Sequence, residues 1–170
     1  MKQPNMDEIR QRFVNFVTSR KSLVISSQDE HGVPFISYAP YVHLNNKLYI
    51  YISRISDHYR YVETGPKVHV MLINDESEAQ NMFARERARW VCTTENLGNE
   101  GHEEIFAAFD TAFGNKMMGM LRGLDFSLFE LTPLEGRYVI GFGQAFDVDL
   151  SGDRFEHVVV DKKTEAGTKV

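Results

Sequence analysis

The sequence is poor in cysteine and contains no long apolar segment. Its 170 residues include a single cysteine, Cys92, so no disulfide can form within the chain, which is typical of a reducing cytoplasm. No apolar run approaches the ~20 residues that span a bilayer. The first residues also lack the apolar stretch of a secretory signal. We therefore expect a cytoplasmic protein that does not associate with a membrane.

Short catalytic motifs are also missing. The sequence has no glycine-rich phosphate loop, no CxxC pair, no HExxH helix and no serine nucleophile elbow. Its six histidines are scattered along the chain, which argues against a closed zinc site. The net charge of −5 argues against nucleic-acid binding, because domains that bind nucleic acid are usually basic. Cys92 follows an apolar run, where an inert buried thiol is expected.

The chain is instead rich in short strand patterns. Apolar and β-branched residues predict strands over 22–28, 33–43, 47–53, 67–75, 83–96, 126–132 and 136–148. Asn45-Asn46 predicts a hairpin turn, and Pro-Leu-Glu-Gly predicts a turn before the last strand. Amphipathic helices are expected up to Arg20, from Ser56, and between Gly101 and Gly123. Six or seven strands with few helices predict a mainly β (α+β) antiparallel barrel, with one domain over 1–150 and a tail or docking arm over 151–170.

Three arginines alternate along one predicted strand. In FARERARWV, Arg85, Arg87 and Arg89 fall on one face, opposite Glu86, Ala88 and Trp90. Guanidinium groups in such a row suit phosphate or carboxylate groups, because each can bind an oxyanion with two hydrogen bonds. A solvated strand face paired with acidic side chains would give the same pattern, so both interpretations stay open.

Two further polar positions stand where a strand meets a helix. Ser56 can cap the helix that follows it, and His58 and Arg60 lie in its first turns, near amides that favour anions. Plain surface residues would also fit there. Asp125 lies between an apolar helix and an apolar strand. It is predicted either to cap the start of the strand or to orient an imidazole or a water molecule.

Several of these segments together resemble a known family. SYAP (37–40), the DESEA…FARER run (75–87) and GFGQA (141–145) are similar to the HugZ/HutZ-type heme-utilisation proteins. Those belong to the pyridoxamine 5′-phosphate oxidase-like, FMN-binding split barrels. The resemblance extends from about Ile9 to Asp149, and it implies a homodimer with two equivalent sites for a planar, anionic cofactor at the subunit interface.

The resemblance also implies roles for individual residues. Ser56, His58, Arg60 and Arg85 correspond to the cofactor-binding positions, with His58 where flavin-using members carry a lysine. Arg87 corresponds to an arginine near the heme, and Asp125 to an aspartate that contacts the axial histidine. That histidine lies in a C-terminal Gly-His-basic triplet, but this tail reads Gly167-Thr168-Lys169. His157, ten residues before Gly167, and His58 are the alternative iron ligands.

Three functions follow as expectations. The first is an enzyme that opens the porphyrin ring of heme oxidatively and releases iron, with electrons from an unknown donor. The second is an FMN-dependent oxidoreductase. The third is a heme carrier that binds without turnover, which the absence of a histidine at Thr168 would explain.

Overall fold

A computed structural model describes residues 5–159 of the chain. Among these residues there are four helices: α1 (Met6–Ser19), α2 (Asp57–Thr64), α3 (Glu103–Phe113) and α4 (Asn115–Arg122). None of the four is both long enough and apolar enough to cross a membrane. The same residues form eight strands: β1 (Ser22–Gln28), β2 (Pro34–Leu44), β3 (Lys47–Ser53), β4 (Val68–Ile73), β5 (Arg87–Gly98), β6 (Phe126–Gly141), β7 (Gln144–Val148) and β8 (Phe155–His157).

Six of the strands close into a barrel. They follow the order β3-β2-β1-β4-β5-β6, every neighbouring pair is antiparallel, and β3 also pairs with β6 to complete the ring. β7 and β8 extend the sheet beyond β6. Asn45 and Asn46 make the β2–β3 turn with φ of 51° and 59°, the conformation that a two-residue hairpin requires. The predicted mainly β barrel and this hairpin are confirmed.

The barrel separates two apolar clusters. The larger fills the interior, where Trp90, Cys92 and Tyr138 are each 0% exposed and α1 adds Phe13. Burial raises the pKa of the Cys92 thiol to about 12, so the prediction of an inert thiol agrees with its surroundings. The smaller cluster lies outside the barrel, where α3 and α4 cover one part of its outer surface with Phe106, Phe109 and Met118, among others.

An ion pair anchors α1 to the barrel. The helix begins with Asn5, whose side chain accepts a hydrogen bond from the amide of Asp7 at 3.1 Å. Further along, Arg12 donates to both carboxylate oxygens of Glu86, at 3.1 and 2.7 Å. The same carboxylate accepts from the hydroxyl of Tyr138 on β6. Glu86 therefore joins α1 to the start of β5 and to β6.

The sequence predicts one continuous helix between Gly101 and Gly123. This prediction is wrong, because two helices occupy the segment. Gly114 adopts φ 92° and separates α3 from α4. Only glycine takes that conformation without steric cost. The break allows α4 to fold back on α3, and Arg122 of α4 forms two hydrogen bonds to Glu103 of α3, at 3.1 and 2.8 Å.

The predicted turn at Pro-Leu-Glu-Gly is also wrong. β6 runs through Pro133, which pairs with Cys92 of β5 where the register shifts between Val91 and Cys92. Such a bulge accommodates a residue without an amide hydrogen. The chain reverses later instead, between Gly141 and Gln144, where Gly143 has φ 68°. The segment 136–148 therefore forms the end of β6, a hairpin and β7.

Candidate functional site

Asp125 connects the end of β3 to the start of β6. Its carboxylate accepts hydrogen bonds from the Ser53 hydroxyl, at 3.1 Å to each oxygen, and from the amide of Ile55 at 3.3 Å. The carbonyl of Asp125 also accepts from the amide of Arg54 at 2.9 Å. These contacts are those of the predicted cap. The residue is exposed, and a role toward an imidazole stays a prediction.

Two of the polar residues at the start of α2, Ser56 and Arg60, already have partners within the chain. Ser56 stands at the cap position, but its hydroxyl donates to the carbonyl of Ser53 at 2.6 Å and makes no bond to the helix. The prediction that its side chain caps α2 is therefore wrong. Arg60 forms an ion pair with Glu30 at 3.2 Å. Burial lowers the pKa of His58 below its ordinary 6.5, which leaves a neutral imidazole at pH 7.

The arginines of the FARER segment do not share one strand. Two 3₁₀ turns occupy Glu76–Glu78 and Met82–Ala84, and the second is started by Asn81, whose side chain accepts from the amide of Phe83 at 2.9 Å. The strand predicted from residue 83 therefore begins only at Arg87, because this side-chain cap competes with strand pairing. Arg85 donates to the carbonyl of Asn74 at 2.7 Å and pairs with Glu76 at 3.2 Å.

Arg87 and Arg89 do lie on the outer face of β5. The residues that alternate with them, Ala88 and Trp90, are buried in the barrel, as the sequence pattern predicts. Arg87 donates to the carbonyl of Arg85 at 2.8 Å. Arg89 pairs in register with Met71 of β4 and Arg137 of β6. Arg89 is exposed and forms no ion pair with any residue in 5–159.

One chain keeps the predicted site residues in two groups. Tyr59 and Glu63 of α2 accept hydrogen bonds from Asn96 near the end of β5, at 2.8 Å each. Arg87 stands at the other end of that strand. Nine residue steps separate Arg87 from Asn96, which is about 30 Å of strand. Ser56, His58, Arg60 and Asp125 therefore lie far from Arg85 and Arg87 in a single chain.

His157 lies on the opposite side of the sheet from Arg87. It stands on β8 opposite Phe146 of β7, whose ring is 5.2 Å away. Phe146 faces the interior cluster, whereas Arg87 faces outward. The Nε2 atom of His157 lies 2.9 Å from the carbonyl of Gly143, so that nitrogen already has a partner. Thr168, where the family histidine was expected, lies outside the described residues.

The outer side of β1, β2, β4 and β5 carries exposed apolar residues that none of the helices in 5–159 covers. Ile36 and Tyr38 of β2 are 66% and 61% exposed. Pairing in register places Ile36, Ser26, His69 and Val91 in one row across the four strands. The next row holds Tyr38, Val24, Met71 and Arg89. We call the eight residues of these two rows the open face.

His69 was not among the residues singled out in the sequence. Alternation in KVHVMLI places it outward, because Val68, Val70 and Leu72 are buried in the barrel. That signal was present in the sequence. The alternation predicts only that the side chain of His69 points out of the barrel. It does not predict which part of the outer surface the helices cover.

Two concave sites in the described chain include none of the residues of the open face. A cavity of about 430 Å³ lies between the end of α1, β2 and α3, and it contains none of the predicted site residues. A second cavity, of about 350 Å³, lies beside the 3₁₀ turns and is lined by Arg85, Arg12 and Glu86, among others. Arg85 therefore borders a polar cavity that the family resemblance alone would not indicate.

Comparison with known proteins identifies the class. Residues 9–140 match the family described as pyridoxamine 5′-phosphate oxidase, which is the family of split barrels that the closed six-stranded ring suggests. The chain is also 37% identical over 153 residues to the heme oxygenase HutZ of Vibrio cholerae, covering 89% of this chain and 82% of that protein. The chain therefore belongs to the HutZ type within the pyridoxamine 5′-phosphate oxidase family.

Two solved structures agree with this membership. ChuZ of Campylobacter jejuni superposes with a TM-score of 0.83 at 29% identity over 92% of this chain, which spans 64% of the ChuZ chain. A structure of HutZ from Vibrio cholerae, described as a heme storage protein, has a TM-score of 0.70 at 31% identity. The matched region covers 78% of this chain and 93% of the HutZ chain. HutZ is thus described both as an oxygenase and as a storage protein.

Proposed function

We propose that this protein is a heme-utilisation protein that binds heme on the open face, between two copies of the chain. The observation that carries the proposal is the composition of that face. Ile36, Tyr38, Met71 and Val91 provide an apolar surface, and Arg89 provides a cation at its border. Heme is a flat apolar ring with two carboxylates at one edge, so a flat apolar surface with a cation beside it is complementary.

Two copies are needed because the open face is only one wall of a site. A sheet surface can contact one side of a planar ring, and the opposite side stays in water unless another surface covers it. α4 and the turn after it offer such a surface, since Met117, Met120 and Leu124 are 49%, 56% and 54% exposed. Their apolar area favours association by roughly 25 cal/mol for each Å² removed from water. We also propose that the second copy brings one chain's residues at the start of α2 closer to the other chain's arginines. The first group is Ser56, His58, Arg60 and Asp125, and the second is Arg85 and Arg87.

The same contacts make FMN the weaker candidate. An FMN phosphate needs free cations at the strand–helix junction, but Arg60 is already paired with Glu30. His58 replaces the lysine of the flavin-using members, and its lowered pKa removes its charge at pH 7. A neutral imidazole binds a phosphate less strongly than an ammonium group does. It remains a suitable ligand for heme iron.

The degradation of bound heme needs chemistry that the residues of the chain support but do not themselves supply. Bound heme supplies the iron at which oxygen is activated, and an external donor must provide the electrons. The chain's own contribution is to hold the carboxylates, supply a neutral iron ligand and exclude water. We propose that the protein degrades heme. A heme complex that does not turn over would identify the protein as a carrier instead.

The test is an absorbance titration of the purified protein. We expect hemin to give a saturable Soret band shifted from that of free hemin, with one heme per chain, and we expect FMN under the same conditions to bind weakly. A shift with FMN but not with hemin would contradict the proposal. Adding a reductant in air to the hemin complex then separates the two activities, because an oxygenase loses the Soret band and a carrier keeps it.

A further inference from the structure

All six histidines of the chain lie within the described residues, and three of them have an Nε2 atom that is either buried or close to a backbone carbonyl. The Nε2 atom of His43 is buried without a partner. The Nε2 atoms of His102 and His157 lie 3.2 and 2.9 Å from backbone carbonyls. The other three are His31 in the β1–β2 turn, His58 on α2, and His69, the second residue of β4.

Only His69 of these three lies on the open face. It is exposed, and it is paired with Ser26 of β1 on one side and with Val91 of β5 on the other. Side chains of a strand stand roughly perpendicular to the sheet. This imidazole would therefore be able to hold the iron of a heme that contacts the apolar residues Ile36 and Val91. Neither His31 nor His58 belongs to the open face.

Cations stand beside His69 at a suitable separation. Arg89 is opposite Met71, two residues from His69, so His69 and Arg89 are diagonal neighbours, with Cα atoms about 7–8 Å apart. Arg89 also faces Arg137 across β5 and β6, and like charges in that position are unfavourable. Asp147 pairs with Arg137 at 2.7 Å, whereas no acidic residue in 5–159 pairs with Arg89. An added carboxylate would relieve this repulsion.

We propose that His69 is the axial ligand of heme iron and that Arg89 binds a heme propionate, with the ring lying on the open face. This inference rests on the proposed function. It explains how a chain with Thr168 at the usual histidine position can still bind iron. The imidazole supplies the neutral nitrogen that iron needs, and the guanidinium supplies a charge-assisted hydrogen bond to a carboxylate.

The experiment compares hemin binding by wild type, His69→Gly and Arg89→Ala, with His31→Gly as the matched exposed control. We expect His69→Gly to weaken hemin binding more than about tenfold, because changes next to metal ligands already cost that much. The Soret band of its complex should also move, and added free imidazole should restore the wild-type spectrum. Arg89→Ala should weaken binding by about tenfold without moving the band. His31→Gly should change neither.

Each alternative result is distinct. Wild-type affinity and spectrum in His69→Gly would overturn the inference. So would a loss of the band in His58→Gly or His157→Gly, rescued by imidazole, while His69→Gly binds normally. Either outcome would leave the proposed function standing, because wild type would still bind heme. Failure of wild type to bind hemin would overturn both proposals. Thermal unfolding of each variant without hemin separates loss of binding from loss of folding.

Discussion

The outer surface of this barrel has two parts that differ in what covers them. Tyr51 of β3 and Tyr38 of β2 both point out of the barrel, yet Tyr51 is 5% exposed and Tyr38 is 61% exposed. α3 covers the first, and the ring of Phe106 meets that of Tyr51 edge-on at 5.4 Å. No residue in 5–159 covers Tyr38 in the same way. The chain thus completes one face with its own helices and leaves the other incomplete.

This difference separates residues that stabilise the fold from residues that are available for binding. Apolar side chains under α3 and α4 contribute to stability in every copy of the chain. Apolar side chains of the open face contribute little until something covers them, so their presence there needs another explanation. We attribute it to a second copy and a bound ring. The predictions below test this contrast, in order of decreasing effect on the stability of the chain.

The largest effect is expected under α3. Phe106→Ala removes a ring that is 1% exposed and in contact with Tyr51 and with the guanidinium of Arg122, 4.0 Å from its centre. Such a change leaves a cavity and should cost about 3–5 kcal/mol of the free energy of unfolding. Urea unfolding followed by circular dichroism measures it.

The matched control is Tyr38→Ala, which removes an aromatic side chain of similar size from the open face. Its cost, measured on dilute protein without heme, should stay within about 0.5 kcal/mol. Equal costs for the two changes would mean that the open face is covered within the chain itself, and the contrast between the faces would be lost.

A smaller effect is expected inside the barrel, behind Arg89. A Cβ atom added at Gly136 would lie 2.3 Å from Cδ1 and Nε1 of Trp90 and 2.7 Å from the carbonyl of Val148. Gly136→Ala should therefore force the indole to move and destabilise the chain by about 1–3 kcal/mol. Near-UV circular dichroism, which reports on the single tryptophan, should change together with the unfolding midpoint.

Gly141→Ala on the same strand is the control. Its added Cβ atom would meet only the side chain of Gln144, at 3.9 Å, which is ordinary contact. If Gly141→Ala lost as much stability as Gly136→Ala, the loss would come from the backbone preference of alanine in the strand and not from the packing of Trp90.

Local features of the fold were predictable from sequence, because they depend on neighbouring residues. Alternation located the strands, and Asn45-Asn46 located a hairpin whose positive φ angles these residues tolerate. The pairing of β3 with β6, which closes the barrel, joins residues such as Ile50 and Phe129 that are far apart in sequence. No local pattern encodes that pairing. The same applies to the coverage by α3, which decides what stays open.

The candidate site was predictable only in part. Arg87 and Asp125 were identified by family resemblance, but their separation along the barrel depends on the register between β5 and β6. Arg85 was assigned to a strand because alternation continues through it, whereas the cap at Asn81 turns the chain there. His69 was missed because its neighbours on the open face come from β1 and β5.

A pH-dependent effect is expected where β2 passes from the open to the covered part. His43 is half-buried, its Nε2 atom has no partner in the described chain, and burial lowers its pKa below 6.5. The unfolded chain therefore binds this proton more readily, so stability is retained above pH 6.5 and declines as pH falls below it. His43→Leu should remove this contribution and stabilise the chain by about 1 kcal/mol.

The measurement compares unfolding of wild type and His43→Leu between pH 8 and pH 5, values chosen to bracket the ordinary histidine pKa of about 6.5. We expect the advantage of the variant to grow as pH falls. His31→Leu, in an exposed turn, should leave the pH dependence unchanged. A constant difference between wild type and His43→Leu at all pH values would mean that His43 contributes no proton-linked stability.

The smallest effect on the fold, with the largest effect on assembly, is expected for a charge on the open face. Ile36→Lys places an ammonium group where the side chain is 66% exposed, so the free energy of unfolding of the dilute chain should change by less than about 0.5 kcal/mol. The same charge would be buried between two copies in the proposed dimer, so we expect sedimentation to show a dimer for wild type and a monomer for the variant. Leu134→Lys, at a position 46% exposed on β6, should leave the dimer intact. If Ile36→Lys stays dimeric and Leu134→Lys does not, the second copy binds elsewhere on the barrel, and the exposed residues of β2 need another partner.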